Sequence, residues 1–164
     1  MIFLTVGTQF PFDRLVKAVD AAIDAGLINE QVLGQIGDGS YRPRNFGAVP
    51  SLDKKVFDTH VAEASAVISH AGMGIISMAL AHKKPILVMP RLSKYREVVN
   101  DHQVAIARKF EQIGCILVAY DAAQLPEKIK QLPTFVPLAR NVQPTLVAER
   151  IRVFLDQLVN SMKE

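Results

Sequence analysis

Two short stretches of this chain carry groups suited to holding an anion and a polyhydroxyl compound. The first is Ser69-His70-Ala71-Gly72-Met73-Gly74, which follows the apolar run Ala66-Val67-Ile68 and precedes a helical pattern. A glycine turn that opens a helix offers N–H groups without intrahelical partners, together with the positive end of the helix dipole; both attract phosphate. Gly72 and Gly74 carry no Cβ to hold a ligand off the backbone, and His70 can add a donor from its imidazole. A glycine turn of this kind also serves tight packing, and a lone histidine also serves structure.

The second stretch is Asn100-Asp101-His102-Gln103, which opens a helical pattern one apolar run later. Its amides, carboxylate and imidazole supply the mixture of donors and acceptors that sugar hydroxyls require. The same residues also read as an N-cap and a solvated first turn.

Other chemistries fit poorly. The first turn, Gly7-Thr8-Gln9-Phe10-Pro11-Phe12, lacks the Gly-x-Gly-x-x-Gly of dinucleotide oxidoreductases, and no glycine precedes a Lys-Ser or Lys-Thr pair at P-loop spacing. His60, His70, His82 and His102 are not paired at a helical ligand spacing and Cys115 has no second cysteine, so no metal and no cofactor are expected. A Gly-x-Ser-x-Gly nucleophile elbow is missing too.

The elements that must position the two stretches are legible from short apolar runs alternating with helical patterns, the mark of βαβ units and a mostly parallel sheet. Strands are predicted over 2–6, 31–36, 45–49, 66–69, 85–89 and 115–118, the last with Cys115 as a buried residue. The spacing of Phe12, Leu15, Val16, Val19 and Ile23 predicts a first helix ending near Gly26, and a second contains Val56 and Val61. A polar loop is expected over 91–97, where Arg91, Lys94 and Arg96 either meet anionic groups or are simply solvated. Helices are then predicted over 98–110, 122–131 and 144–162. The last of these has an apolar face from Leu146 to Met162, suited to packing on the domain or docking a partner.

At 164 residues, with 49% apolar and 21% charged residues, the chain reads as one folded α/β domain over 1–164. A formal charge of +3 is too small and too scattered to argue for nucleic acid. The apolar run from Met1 stops at Gly7, short of a signal segment or a membrane span, and predicts a cytoplasmic protein.

Taken in order, Thr5-Val6-Gly7-Thr8-Gln9, Pro11-Phe12-Asp13, Gln35-Ile36-Gly37, Val67 through Gly74, Lys84-Pro85, Met89-Pro90-Arg91 and Asn100-Asp101-His102-Gln103 resemble the C-terminal, donor-binding domain of the family 28 glycosyltransferases. The likeness is stronger to free-standing versions of that domain, such as bacterial PssE-type exopolysaccharide subunits and the eukaryotic subunit acting on dolichol-linked sugar. It implies a Rossmann-like, mostly parallel sheet flanked by helices, forming half of a GT-B enzyme. It further implies a UDP-sugar donor with its diphosphate against Gly72, Met73 and Gly74, near a catalytic His70. Gly7 and Thr8 would face the donor, and Asn100, Asp101, His102 and Gln103 would reach the sugar. The missing acceptor half implies a membrane-anchored partner subunit that recruits this chain to the inner face of the membrane, and a lipid-linked sugar as acceptor. A non-catalytic nucleotide-sugar-binding module is the alternative. Two positions depart from the family pattern: Met78 replaces a glutamate that accepts bonds from ribose hydroxyls, and Lys83 replaces the glycine common before Lys84-Pro85.

Overall fold

A computed structural model describes residues 1–138 and 144–161, except for the side chains of 144–147 and 158–161. Strands β1 Ile2–Thr5, β2 Val32–Gln35, β3 Gly47–Val49, β4 Ala66–His70, β5 Ile86–Met89 and β6 Leu117–Val118 alternate with helices. The helices are α1 Asp13–Asp24, α2 Lys54–Glu63, α3 Met73–Ala81, α4 His102–Gln112, α5 Leu125–Gln131 and α6 Pro144–Ser161. Among the described residues the six strands form one sheet in the order β3-β2-β1-β4-β5-β6, with every pairing parallel.

The central strands are mainly apolar because helices cover both faces of the sheet, with the polar Thr5, Ser69 and His70 at the carboxyl ends of β1 and β4. Side chains alternate across β1: Ile2 and Leu4 pack with Leu15, Val19, Leu125 and Ile129 of α1 and α5, whereas Phe3 packs with Val61, Ile76 and Phe110 of α2, α3 and α4. Leu4 and Phe3 are fully buried, so truncating either to alanine is expected to cost roughly 2–5 kcal/mol. The chain builds outward from β1 to β3, then crosses back to β4 and builds the other way. That reversal leaves a crevice at the carboxyl ends of β1 and β4, where open α/β sheets bind ligands.

The helix predicted over 98–110 begins at His102 instead and runs to Gln112. The 91–101 segment is held in another shape: a 3-10 turn over Ser93–Tyr95 ends at Arg96 in the left-handed region (φ 58), and Glu97 is drawn onto Arg14. Regular strand pairing at the last strand narrows to Leu117–Val118, with buried Cys115 and Ile116 leading into it. The terminal helix is present over 144–161, and its expected end at Met162 lies outside the described residues. Residues 148–157 of α6 are all exposed, Ile151, Phe154 and Leu155 among them. Among the described residues no helix is long and apolar enough to cross a membrane.

Candidate functional site

The crevice is built from two turns and the histidine between them. Gly7 leaves β1 with a positive φ of 75, a conformation that costs a residue bearing a Cβ about 1–2 kcal/mol. Gly72 sits at the N-cap of α3 in extended backbone, and no side chain caps that helix. The first N–H groups of α3 are thus left for a ligand or water. His70, the last residue of β4, places its ring between the two glycines. A Cβ on Gly72 would stand 2.3 Å from His70 Nε2, and one on Gly7 would stand 2.9 Å from His70 Cε1. Both glycines are therefore required by the imidazole itself. Gly74 differs: a Cβ there would meet nothing within 4 Å, so its face is open. Met73 is exposed beside it.

Behind the ring, Ser69 is fully buried and its hydroxyl donates to the carbonyl of Thr5 at 2.6 Å, across the parallel pair these two residues form. The same oxygen lies 3.1 Å from His70 Nδ1. Burial first, and then the positive charge of Arg91, push the His70 imidazole down to about 4, so it is neutral at pH 7.

Arg91 does not belong to a solvated loop. It is 3% exposed, and its Nη2 donates to the carbonyls of Val6, at 2.6 Å, and of Phe10. Its guanidinium stacks over Phe12 at 5.2 Å, its Nε has no hydrogen-bond partner among the described residues, and its own N–H donates to Gln103 Oε1 at 3.1 Å. Burial pulls Arg91 down to about 10, with the charge of Glu97 opposing, and it stays protonated at neutral pH. Arg91 fixes the shape of the Gly7–Phe10 turn and keeps a positive charge close to His70. Glu97 accepts from Arg14 Nε and Nη2 at 2.8 and 2.7 Å and from the N–H of Leu92 at 3.0 Å, tying the segment after β5 to α1.

The second polar cluster arrives at the same end of the sheet, but much of its bonding capacity is used locally. Asn100 Oδ1 accepts from the N–H of His102 at 3.2 Å and lies 2.6 Å from His102 Nδ1. Asp101 Oδ1 accepts from the N–H of Ser93 at 2.7 Å, a bond that holds its carboxyl below the usual range. Gln103 is buried, with its carbonyl turned to Arg91. Asn100, Asp101 and His102 are exposed and face outward; Gln103 supports the site from below.

Thr8, also exposed, lines with Gly7, Phe10, Gly37, Asp38 and Ser51 a cleft of about 160 Å³ at the carboxyl ends of β1, β2 and β3. Two larger hollows lie elsewhere. One, of about 390 Å³, is lined by Ile2, Leu27, Ala66 and Leu132 at the opposite ends of the strands. The other, of about 690 Å³, separates α2 from α3, and Met78 lines it with Lys55, Thr59 and His82. Among the described residues, no group of three or more His, Cys, Asp or Glu side chains is placed to hold a metal ion.

The sequence assigns no role of their own to Ser69, Arg14 or Glu97, although Ser69 opens the first polar stretch. They are common residue types whose roles arise from partners 64 and 83 positions away, and local spacing carries no trace of such pairings.

Comparison with known proteins bears on the family and the fold. Residues 1–141 match the model of the glycosyltransferase family 28 C-terminal domain. The UDP-N-acetylglucosamine transferase subunit ALG13 of Cryptococcus neoformans is 32% identical over 105 residues, covering 63% of this chain and 50% of that protein. The mouse protein of the same name is 32% identical over 122 residues, covering 68% of this chain and 10% of its own length. The chain thus spans half the length, or less, of these curated relatives. Among solved structures, an NMR structure of ALG13 superposes with a TM-score of 0.59 at 20% identity, over 92% of this chain and 93% of the other. MurG of Acinetobacter baumannii gives 0.58 at 20% identity, over 80% of this chain and 40% of the other.

Proposed function

The chain belongs to the glycosyltransferase family 28 C-terminal domain family, and from that premise we propose that it is the UDP-sugar-binding catalytic subunit of a two-part, inverting glycosyltransferase acting on a lipid-linked sugar. The observation that carries this reading is the uncapped, glycine-lined start of α3 beside His70 at the β1–β4 crossover. A diphosphate laid against Gly72, Met73 and Gly74 would accept from unpaired N–H groups and sit at the positive end of α3. As the bond to the sugar breaks, charge gathers on the departing UDP. Donors already aimed at that charge typically contribute about 3 kcal/mol each to the rate. Gly7 and Thr8 would border the nucleotide, and the exposed Asn100, Asp101 and His102 would face the sugar. Gln103 would act through Arg91.

The acceptor and its base would come from a membrane-anchored partner subunit, which would also bring this chain to the membrane. Support for a two-part enzyme comes from the relatives named as transferase subunits.

The test is transfer of labelled sugar from UDP-N-acetylglucosamine and other UDP-sugars to a lipid-linked sugar acceptor, by this chain alone and co-expressed with a membrane-anchored partner. Transfer is expected only with both subunits. His70→Ala is expected to slow turnover about 100-fold while weakening donor binding much less. Donor binding without transfer by the complete pair would make the chain a non-catalytic nucleotide-sugar-binding regulatory module instead.

A further inference from the structure

The Ser69–His70 pair carries information about a proton. A carbonyl oxygen only accepts, so the 2.6 Å contact between Ser69 Oγ and the Thr5 carbonyl uses the single proton of that hydroxyl. Toward His70, Ser69 Oγ then has only lone pairs to offer, and the 3.1 Å contact requires the proton of a neutral imidazole to sit on Nδ1. Nε2 is left bare. It is also the ring nitrogen nearest Gly72, facing the turn where the diphosphate would lie. A bare nitrogen lone pair repels a phosphate oxygen, whereas an N–H attracts it.

We propose that Ser69 is a positioning residue that reserves Nε2 of His70, and that binding of a nucleoside diphosphate sugar draws one proton from solvent onto that nitrogen. The inference rests on the donor-binding reading above. No covalent bond changes in this step: a solvent proton joins the Nε2 lone pair, the ring becomes an imidazolium with Nδ1–H still donating to Ser69, and Nε2–H donates to a phosphate oxygen. The surroundings favour this order. In the free chain burial of the ring, and after it the positive charge of buried Arg91, outweigh the Thr5 carbonyl that favours a proton, and the resting imidazole is neutral. Glu97 tempers Arg91 but is engaged by Arg14. Neither the turn over residues 7–12 nor the first turn of α3 brings a titratable side chain. A diphosphate is therefore the charge that tips the balance.

Calorimetry of the full chain with UDP-N-acetylglucosamine near pH 7.5, in buffers of different ionisation enthalpy, counts the protons directly. This probe has no phosphate that titrates near neutrality. Uptake close to one proton per donor is expected, with affinity falling toward about tenfold per pH unit between the free-chain value of about 4 and the higher bound-state pKa of His70, and levelling off above the latter. His70→Gln should take up none. Ser69→Thr should behave as the parent. Ser69→Ala removes the acceptor that Ser69 Oγ offers to Nδ1–H and leaves the Thr5 carbonyl as the ring's backbone partner, so its proton count should fall below the parent's while the donor still binds. A purely structural role for Ser69 would weaken binding or folding without changing the count. Nitrogen-15 NMR of the free chain should show Nδ1 protonated and Nε2 bare, and the opposite tautomer overturns the proposal whatever the ligand does. Donor binding without proton uptake overturns this proposal alone, whereas absence of any donor binding overturns the donor-site reading and this inference with it.

Discussion

Gly72 and Gly74 look interchangeable in sequence, yet the space around them separates their roles. An alanine at 72 must push its methyl into the His70 ring, because its Cβ would lie 2.3 Å from Nε2. We expect Gly72→Ala to lose stability by about 1–3 kcal/mol through that overpacking and to lose donor binding together with it. Gly74 lies within the first turn of α3 with open space beside it, and alanine is the better helix former. Gly74→Ala is expected to raise stability by roughly 0.5–1 kcal/mol. If a diphosphate approaches the backbone there, the same methyl should cut UDP-sugar affinity at least about tenfold. Thermal unfolding and titration calorimetry on this one variant separate ligand approach from packing, and unchanged affinity would remove the diphosphate from the start of α3.

Elements here depend on a few special joints, two of which can be tested without any ligand. Lys83, in the turn between α3 and β5, has a φ of 54, and its N–H bonds the carbonyl of Leu80. A left-handed conformation costs an L-residue with a Cβ about 1–2 kcal/mol, partly offset by the greater freedom of an unfolded glycine. Lys83→Gly is therefore expected to raise Tm by about 1–3 °C in a scanning calorimeter. Asp20, on α1, is buried and accepts from Tyr41 Oη and the N–H groups of Arg44 and Asn45, anchoring the segment that leads into β3. Burial alone would raise its pKa, but those hydrogen bonds outweigh it and bring it below 3.8. A carboxyl depressed on folding stabilises fully above its unfolded pKa and loses that contribution as pH falls through the folded value. Acid titration of unfolding should thus show a loss of stability below pH 3.8 that is missing from Asp20→Asn. The existence and order of these elements were legible because hydrophobic period and glycine turns are local signals. The true start of α4 was not legible. Val98 and Val99 fit a helical pattern, but the Arg14–Glu97 pair and the left-handed Arg96 hold that stretch outside the helix, leaving Val99 85% exposed.

For the molecule as a whole, the sheet domain is closed on both faces without residues 148–157 of α6, all of which are exposed. A chain ending at Leu138 is accordingly expected to unfold within about 1 kcal/mol of the full chain, as measured by chemical denaturation. A markedly larger loss would mean that α6 belongs to the core. Residue types and their order determined most of the architecture: apolar runs had to be buried strands, the intervening patterns had to cover them, and the glycine turn after β4 had to open a helix. They also marked His70, Gly72 and Gly74, because a strand, a turn and a helix start are local events. Only the tertiary structure decided that Gly7 and Gly72 enclose one imidazole, that Arg91 turns inward to the first turn, that Gln103 supports rather than faces the crevice, and that Ser69 dictates where the proton of His70 resides. Each of these depends on contacts between strands or loops distant in sequence. Backbone pairing across the β1–β4 crossover sets such contacts, and no periodicity within a single segment records them.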